Sequence, residues 1–128
     1  MKKEFSKKWI ASKQPRKQRK YRYNAPLHLR SKMISGHLDK RLRKEFGKRA
    51  LPLRKGDEVV VMRGRYKGIK GKITKVNLKK YKVYVDNVKY KKITGQEIEA
   101  PLEPSNMRIT TLNMDDKRRK KFMEKKKR

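Results

Sequence analysis

The chain has 128 residues, and its 42 Lys and Arg against 12 Asp and Glu give a formal net charge of +30, an excess that calls for a polyanionic partner such as a phosphate backbone. With 42% of residues charged, against about 25% in ordinary globular chains, and only 34% hydrophobic, a single small folded module with basic extensions is expected. Cysteine is absent and the longest apolar run is Val59-Val60-Val61-Met62, which excludes disulfides, thiolate metal sites, thiol nucleophiles and a membrane-inserting segment.

In chain order, residues 1–34 read as a basic arm. Over residues 1–23, ten Lys or Arg oppose the single acid Glu4, a net +9. The stretch Lys13-Gln14-Pro15-Arg16-Lys17-Gln18-Arg19-Lys20 has no apolar residue and contains a proline, so it is expected to be extended and to pack only on a partner. No apolar segment of secretory length follows the basic start, and no signal peptide is expected. At Asn24-Ala25-Pro26-Leu27-His28-Leu29 apolar residues return, and Pro26 biases Ala25 toward extended backbone.

Residues 35–50 read as one short helix and a linker. Leu38, Leu42 and Phe46 recur every four residues and predict a helix from about His37 to Phe46, capped by Ser35 and stopped by Gly47. Its opposite face carries Lys40, Arg41, Arg43 and Lys44.

Residues 51–112 read as strands. Glu58 to Arg63, Lys70 to Val76, the alternating Tyr81 to Asp86, Glu97 to Ala100, and Met107 to Leu112 are the five predicted strands. Turns are expected at Lys55-Gly56-Asp57, Asn77-Leu78-Lys79-Lys80 and Lys91 to Gln96, with a bend through Pro101, Pro104, Ser105 and Asn106. The fold class expected is mainly β, a small barrel of five short strands with tight turns. Residues 113–128 form a basic tail, +6 over residues 115–128. Asn113, Asp115 and Asp116 provide a cap and negative charge for a helix on the thin apolar stripe of Met114, Phe122 and Met123.

The most specific stretch is residues 54–76. Gly56, Gly64, Gly68 and Gly71 stand where a positive φ or close backbone approach is wanted, and alternate Val side chains before Gly64 enter a core. Arg63, Arg65, Lys67, Lys70 and Lys72 project a cationic edge, with Tyr66 among them as a flat face for ribose or base. Lys79 and Lys80 extend the basic set on the next turn. Lys13, Arg16, Lys17, Arg19, Lys20 and Arg22 supply it from the arm, and Arg118, Arg119 and Lys120 from the tail.

This stretch resembles a KOW motif, the signature of SH3-like β-barrels in some ribosomal and transcription-elongation proteins. Ser12 to Arg19, Asn24-Ala25-Pro26-Leu27-His28, the KOW segment and Pro104-Ser105-Asn106 follow one another as in the universal large-subunit ribosomal protein that bacteria number twenty-four, in its archaeal and eukaryotic form. Glu103 stands where that family's pattern has histidine. The resemblance implies a structural protein that binds the 5′ region of large-subunit ribosomal RNA early in assembly and lies near the polypeptide tunnel exit. Arg63, Arg65, Tyr66, Lys67 and Lys70 carry over best, then Arg16, Lys17 and Arg19, with His28 more loosely placed. It further implies neighbouring ribosomal proteins as partners, factors docking near the tunnel exit, and a cytoplasmic, ribosome-bound location reached through the nucleolus in a eukaryote. The length and short tail fit an archaeal form better than a eukaryotic one.

Other function classes fare worse on the residues themselves. His28 and His37 are the only histidines and no acidic cluster has metal-ligand spacing, so no enzyme, cofactor, small-molecule substrate or metal is expected. Gly71-Lys72 is followed by Ile73 rather than Ser or Thr, which departs from a phosphate-binding P-loop. The alternative is a KOW-type transcription-elongation factor or another nucleic-acid-binding factor. Elongation factors attach the barrel to a further domain for which this chain has no room.

Overall fold

The computed structural model describes residues 5, 6, 8 and 11–125; the outermost parts of both basic extensions lie outside the described residues. The first element corrects the expectation of an extended arm: Pro15–Asn24 is an α-helix, α1. Pro15 at its first turn is pre-set for helical φ, and the Arg, Lys and Gln that follow are strong helix formers. The missing apolar stripe was evidence against packing and not against helix, and none of its residues is buried. Ala25 is extended, as the following proline requires, and a second short helix that sequence reasoning missed, α2, runs over Leu27–Met33.

The helix expected from His37 is shorter. Ser35–Leu38 is a strand, β1, and the helix α3 begins at Lys40 and ends at Phe46. The backbone explains this: Leu38 N–H donates to the Arg49 carbonyl and Asp39 N–H to that of Ile109, both at 3.0 Å, before helical bonding starts. Ser35 donates its hydroxyl to the Lys32 carbonyl at 2.6 Å and so closes α2 instead of capping α3. Leu42 is buried and Phe46 partly buried on α3, as the four-residue recurrence requires, whereas Leu38 is buried as part of β1; Gly47 ends α3 in a left-handed conformation at φ 63°.

β2 (Ala50–Pro52) pairs antiparallel with β1. β3 (Glu58–Val61), β4 (Lys70–Asn77) and β5 (Lys82–Val85) then follow as a meander. Val59, Val60 and Val61 are all buried, so β3 is a continuous apolar run rather than an alternating one. Val83 and Val85 are fully buried while Lys82 and Tyr84 are not, the alternation expected of β5. β6 (Lys89–Lys91), which was not anticipated, pairs with β7 (Glu97–Glu99) as a separate two-stranded hairpin. A one-turn 3-10 helix at Pro104–Asn106 leads into β8 (Met107–Thr111), and α4 spans Lys117–Glu124.

The main sheet has the order β2-β1-β8-β3-β4-β5, antiparallel except for the parallel pair of β1 with β8. The architecture is therefore mainly β and mixed, with four α-helices among the described residues. Pairing does not run round into a closed barrel. Beyond β5 it reduces to one bridge, where Val83 and Leu102 exchange N–H···O bonds of 3.0 and 2.9 Å. The core behind these strands joins Ile34, Leu38, Leu51, Leu53, Ile73, Val83, Val85, Val88, Met107 and Ile109 to Met123 of α4. Gly71 faces it without a side chain, since a Cβ there would sit 2.4 Å from Asp86 Oδ1 and 2.6 Å from a Val85 methyl.

Candidate nucleic-acid interface

Three cationic surfaces stand on this frame. The loop between β3 and β4 is folded on its own backbone. Gly68 N–H donates to the Val61 carbonyl at 2.8 Å, Lys67 N–H to Gly64 at 3.2 Å and Ile69 N–H to Tyr66 at 3.2 Å. Such closure needs left-handed backbone at Gly64 and Gly68, whose φ values are 93° and 88°. Met62 N–H reaches the Asn106 carbonyl at 2.7 Å, which ties the loop to the Pro104–Asn106 turn. With the backbone satisfied, Arg63, Arg65, Lys67 and Lys70 are left exposed. Tyr66 is not the open platform expected: it is partly buried against the core, and the Arg65 guanidinium sits 5.9 Å from its ring centroid. Lys72 is exposed one step along β4, 4.0 Å from Glu58.

The second surface is built by α1 and the turn between β4 and β5. Arg30, a residue that sequence reasoning did not single out, holds the two together. Its Nε donates to the Ala25 carbonyl at 2.8 Å, one terminal nitrogen to the Lys79 carbonyl at 3.3 Å, and the other to the Tyr23 carbonyl. Tyr81 completes the joint. Its hydroxyl donates to the Arg22 carbonyl, and the guanidiniums of Arg22 and Arg30 lie 4.9 and 5.4 Å from its ring centroid. Tyr81 takes a left-handed conformation at φ 54°, which costs about 1–3 kcal/mol for a residue other than glycine and is offset by these contacts. The result is an open groove lined by Arg19, Lys20, Arg22, Tyr23, Lys79 and Tyr81. Arg16 and Lys17 continue it along the exposed helix, Lys13 precedes it, and Lys80 stands beside it on the turn. Tyr23, 79% exposed, offers the aromatic face that Tyr66 does not.

The tail is the third surface, and it corrects one expected RNA ligand. Arg119 is buried and makes a bidentate ion pair with the fully buried Asp57, at 2.6 and 2.7 Å. It also donates to the carbonyls of Asn113 and Pro52 at 2.9 and 3.3 Å. Asp57 accepts two further bonds, from the N–H groups of Arg54 at 3.1 Å and Asn113 at 2.9 Å, so the carboxylate is saturated. The guanidinium is consumed inside the fold, where it docks α4. Only Arg118 and Lys120 of the expected trio are exposed.

The cap of α4 is Asp116 rather than Asn113 and accepts from Arg118 N–H at 2.9 Å. That backbone bond, then the side chain of Arg54, hold the Asp116 carboxyl below its ordinary value of 3.8. Lys48 packs its ammonium 3.6 Å from the Phe122 ring centroid. Desolvation, then the charge of Lys125, lower its pKa from 10.5. His28 is exposed on α2, and Glu103 pairs with Lys82. Among the described residues no group of His, Asp and Glu is placed to hold a metal ion, and no helix is long and apolar enough to cross a membrane.

The signal for Arg30 was absent from its neighbourhood in sequence, because the Lys79 carbonyl it binds lies 49 residues away. A family model that describes the eukaryotic ribosomal proteins L26 and the archaeal ribosomal proteins L24 matches residues 12–126. That span includes all three cationic surfaces and the buried pair that docks the tail. The chain therefore belongs to the family formed by ribosomal protein L26 of eukaryotes and ribosomal protein L24 of archaea.

Proposed function

We propose that this protein binds the 5′ region of large-subunit ribosomal RNA early in subunit assembly and lies near the polypeptide tunnel exit, cytoplasmic and ribosome-bound. The role is structural and has no turnover. The observation that carries the reading is α1: a helix with five cations, no acid and no buried residue is nonetheless fixed to the sheet by Arg30 and Tyr81. A solvated tail needs no such joint, whereas a phosphate ligand gains from cations held in one place. The loop between β3 and β4 supplies a second fixed contact through Arg63, Arg65, Lys67 and Lys70, and Arg118 and Lys120 a third. The strands β3, β4, β5 and β8, bridged through Val83 and Leu102, serve as an SH3-like barrel that is open along part of its seam. Ribosomal proteins beside this site are further partners.

The test is competition between transcripts of the 5′ and 3′ regions of large-subunit ribosomal RNA for the full chain at fixed salt. A preference of at least tenfold for the 5′ transcript is expected. Equal affinity would leave only charge-driven binding and overturn the assignment of the site.

A further inference from the structure

One aromatic ring is left in water where cations converge. Of the six tyrosines Tyr23 is the most exposed, at 79%, and Tyr90 follows at 40%. Tyr66 and Tyr81 pack against the core, and Tyr21 meets the Phe5 ring at a centroid distance of 4.9 Å. Tyr84 is partly covered, with the Lys75 ammonium 5.7 Å from its ring centroid.

Tyr23 stands in the last turn of α1 and lines the groove that α1 forms with the turn between β4 and β5. The groove has a volume of about 520 Å³, within the range of roughly 300–1,000 Å³ that takes a small ligand. Arg19, Lys20, Arg22 and Lys79 line it, with no acid among the described lining residues. Tyr81 lines it too, but the guanidiniums of Arg22 and Arg30 already stand over that ring, whereas the ring of Tyr23 is open. Arg30 donates to the Tyr23 carbonyl, so the ring is held in place through its backbone and its face is not used.

Cations suffice to hold a phosphate backbone, and such a contact does not call for an exposed ring. In an A-form duplex each base face is covered by its neighbours and the deep, narrow major groove excludes side chains. A ring therefore meets a base face only where the base is unpaired and splayed out. We propose that the groove between α1 and the β4–β5 turn is a subsite for one unpaired nucleotide of RNA. Its base stacks on Tyr23, and its flanking phosphates meet Arg19, Lys20, Arg22 and Lys79. This rests on the RNA-binding reading above and narrows it, from a basic surface to a seat for a bulged or looped-out base. Every base has a π face, so the subsite selects unpaired RNA rather than a sequence.

The test measures binding of the full chain to a short oligouridine strand and to an RNA duplex of the same length, for the wild type, Tyr23→Ala and Tyr23→Phe. Alanine keeps the carbonyl that Arg30 binds, so the substitution removes the ring without freeing α1. Tyr23→Ala should weaken binding of the single strand by roughly fivefold or more, the low end of what one base stacked on an aromatic ring contributes. The salt slope should stay as it was, because no phosphate contact is lost. Duplex affinity should change by less than about twofold, its bases being covered, and Tyr23→Phe should retain wild-type binding of both. Equal losses on strand and duplex, an equal loss in Tyr23→Phe, a shallower salt slope, or no loss at all would each overturn the subsite. Competition between 5′ and 3′ transcripts for the wild type reports separately on the proposed function. Equal affinity there would defeat the 5′ assignment, while a loss confined to the single strand would still uphold the subsite.

Discussion

Asp57 shows how much one side chain can organise. It looked like a turn residue in Lys55-Gly56-Asp57, yet it is fully buried and fixes both the Arg54 turn and the tail. Removing its partner leaves a buried carboxylate without a counter-charge. Arg119→Ala is therefore expected to destabilise the protein by about 3–5 kcal/mol in urea unfolding, and a loss below about 1 kcal/mol, the scale of a surface pair, would contradict the buried geometry. Asp116 gives a pH test of the same region. Its folded pKa is lowered below 3.8, so its contribution is present above that value and is lost as pH falls through the folded pKa. The stability difference between the wild type and Asp116→Asn should shrink as pH is taken below 3.8. A difference constant across that range would sink the assignment.

At the level of elements, the strands were legible because burial imposes a period. Val83 and Val85 alternate with partly exposed neighbours, and the glycines of residues 64–71 mark a closed loop and a crowded strand crossing. Gly71→Ala should destabilise by about 1–3 kcal/mol, the usual range for overpacking, measured by thermal unfolding; an unchanged Tm would mean that β4 and β5 are not in the contact described. The helices were legible only in part. The stripe of Leu38, Leu42 and Phe46 located α3, but long-range pairing of β1 with β8 shortened it. For α1 there was no stripe to read, since its anchoring depends on a side chain of α2 meeting the carbonyl of Ala25 just after α1 and that of Lys79, 49 residues away. Arg30→Ala should free α1 from the turn at Lys79 and speed amide exchange at Arg22 to Ala25 while the sheet amides stay protected. Equal protection in the variant would show that Arg30 is not the joint. The site residues were legible as charge, whereas the burial of Arg119 and of much of Tyr66 was not, because charge and aromaticity look alike inside and outside a fold.

At the level of the whole molecule, charge and fold divide the labour. The apolar minority builds one core, and the cations are left outside it, with α1, α3, the loop between β3 and β4, and α4 among the places that carry them. Backbone ordering costs about 1–2 kcal/mol per residue, and α1 is already helical and anchored, so RNA binding need not meet that cost there. The most direct test is the salt dependence of affinity for a 5′ large-subunit ribosomal RNA transcript. It compares the wild type with a variant whose Arg16, Lys17, Arg19, Lys20 and Arg22 are all Gln. If these five cations meet phosphates, the slope of log K against log salt should become shallower by roughly 3.5 to 4.5, at about 0.7–0.9 per neutralised phosphate. An unchanged slope would show that α1 does not touch the RNA and would contradict the account.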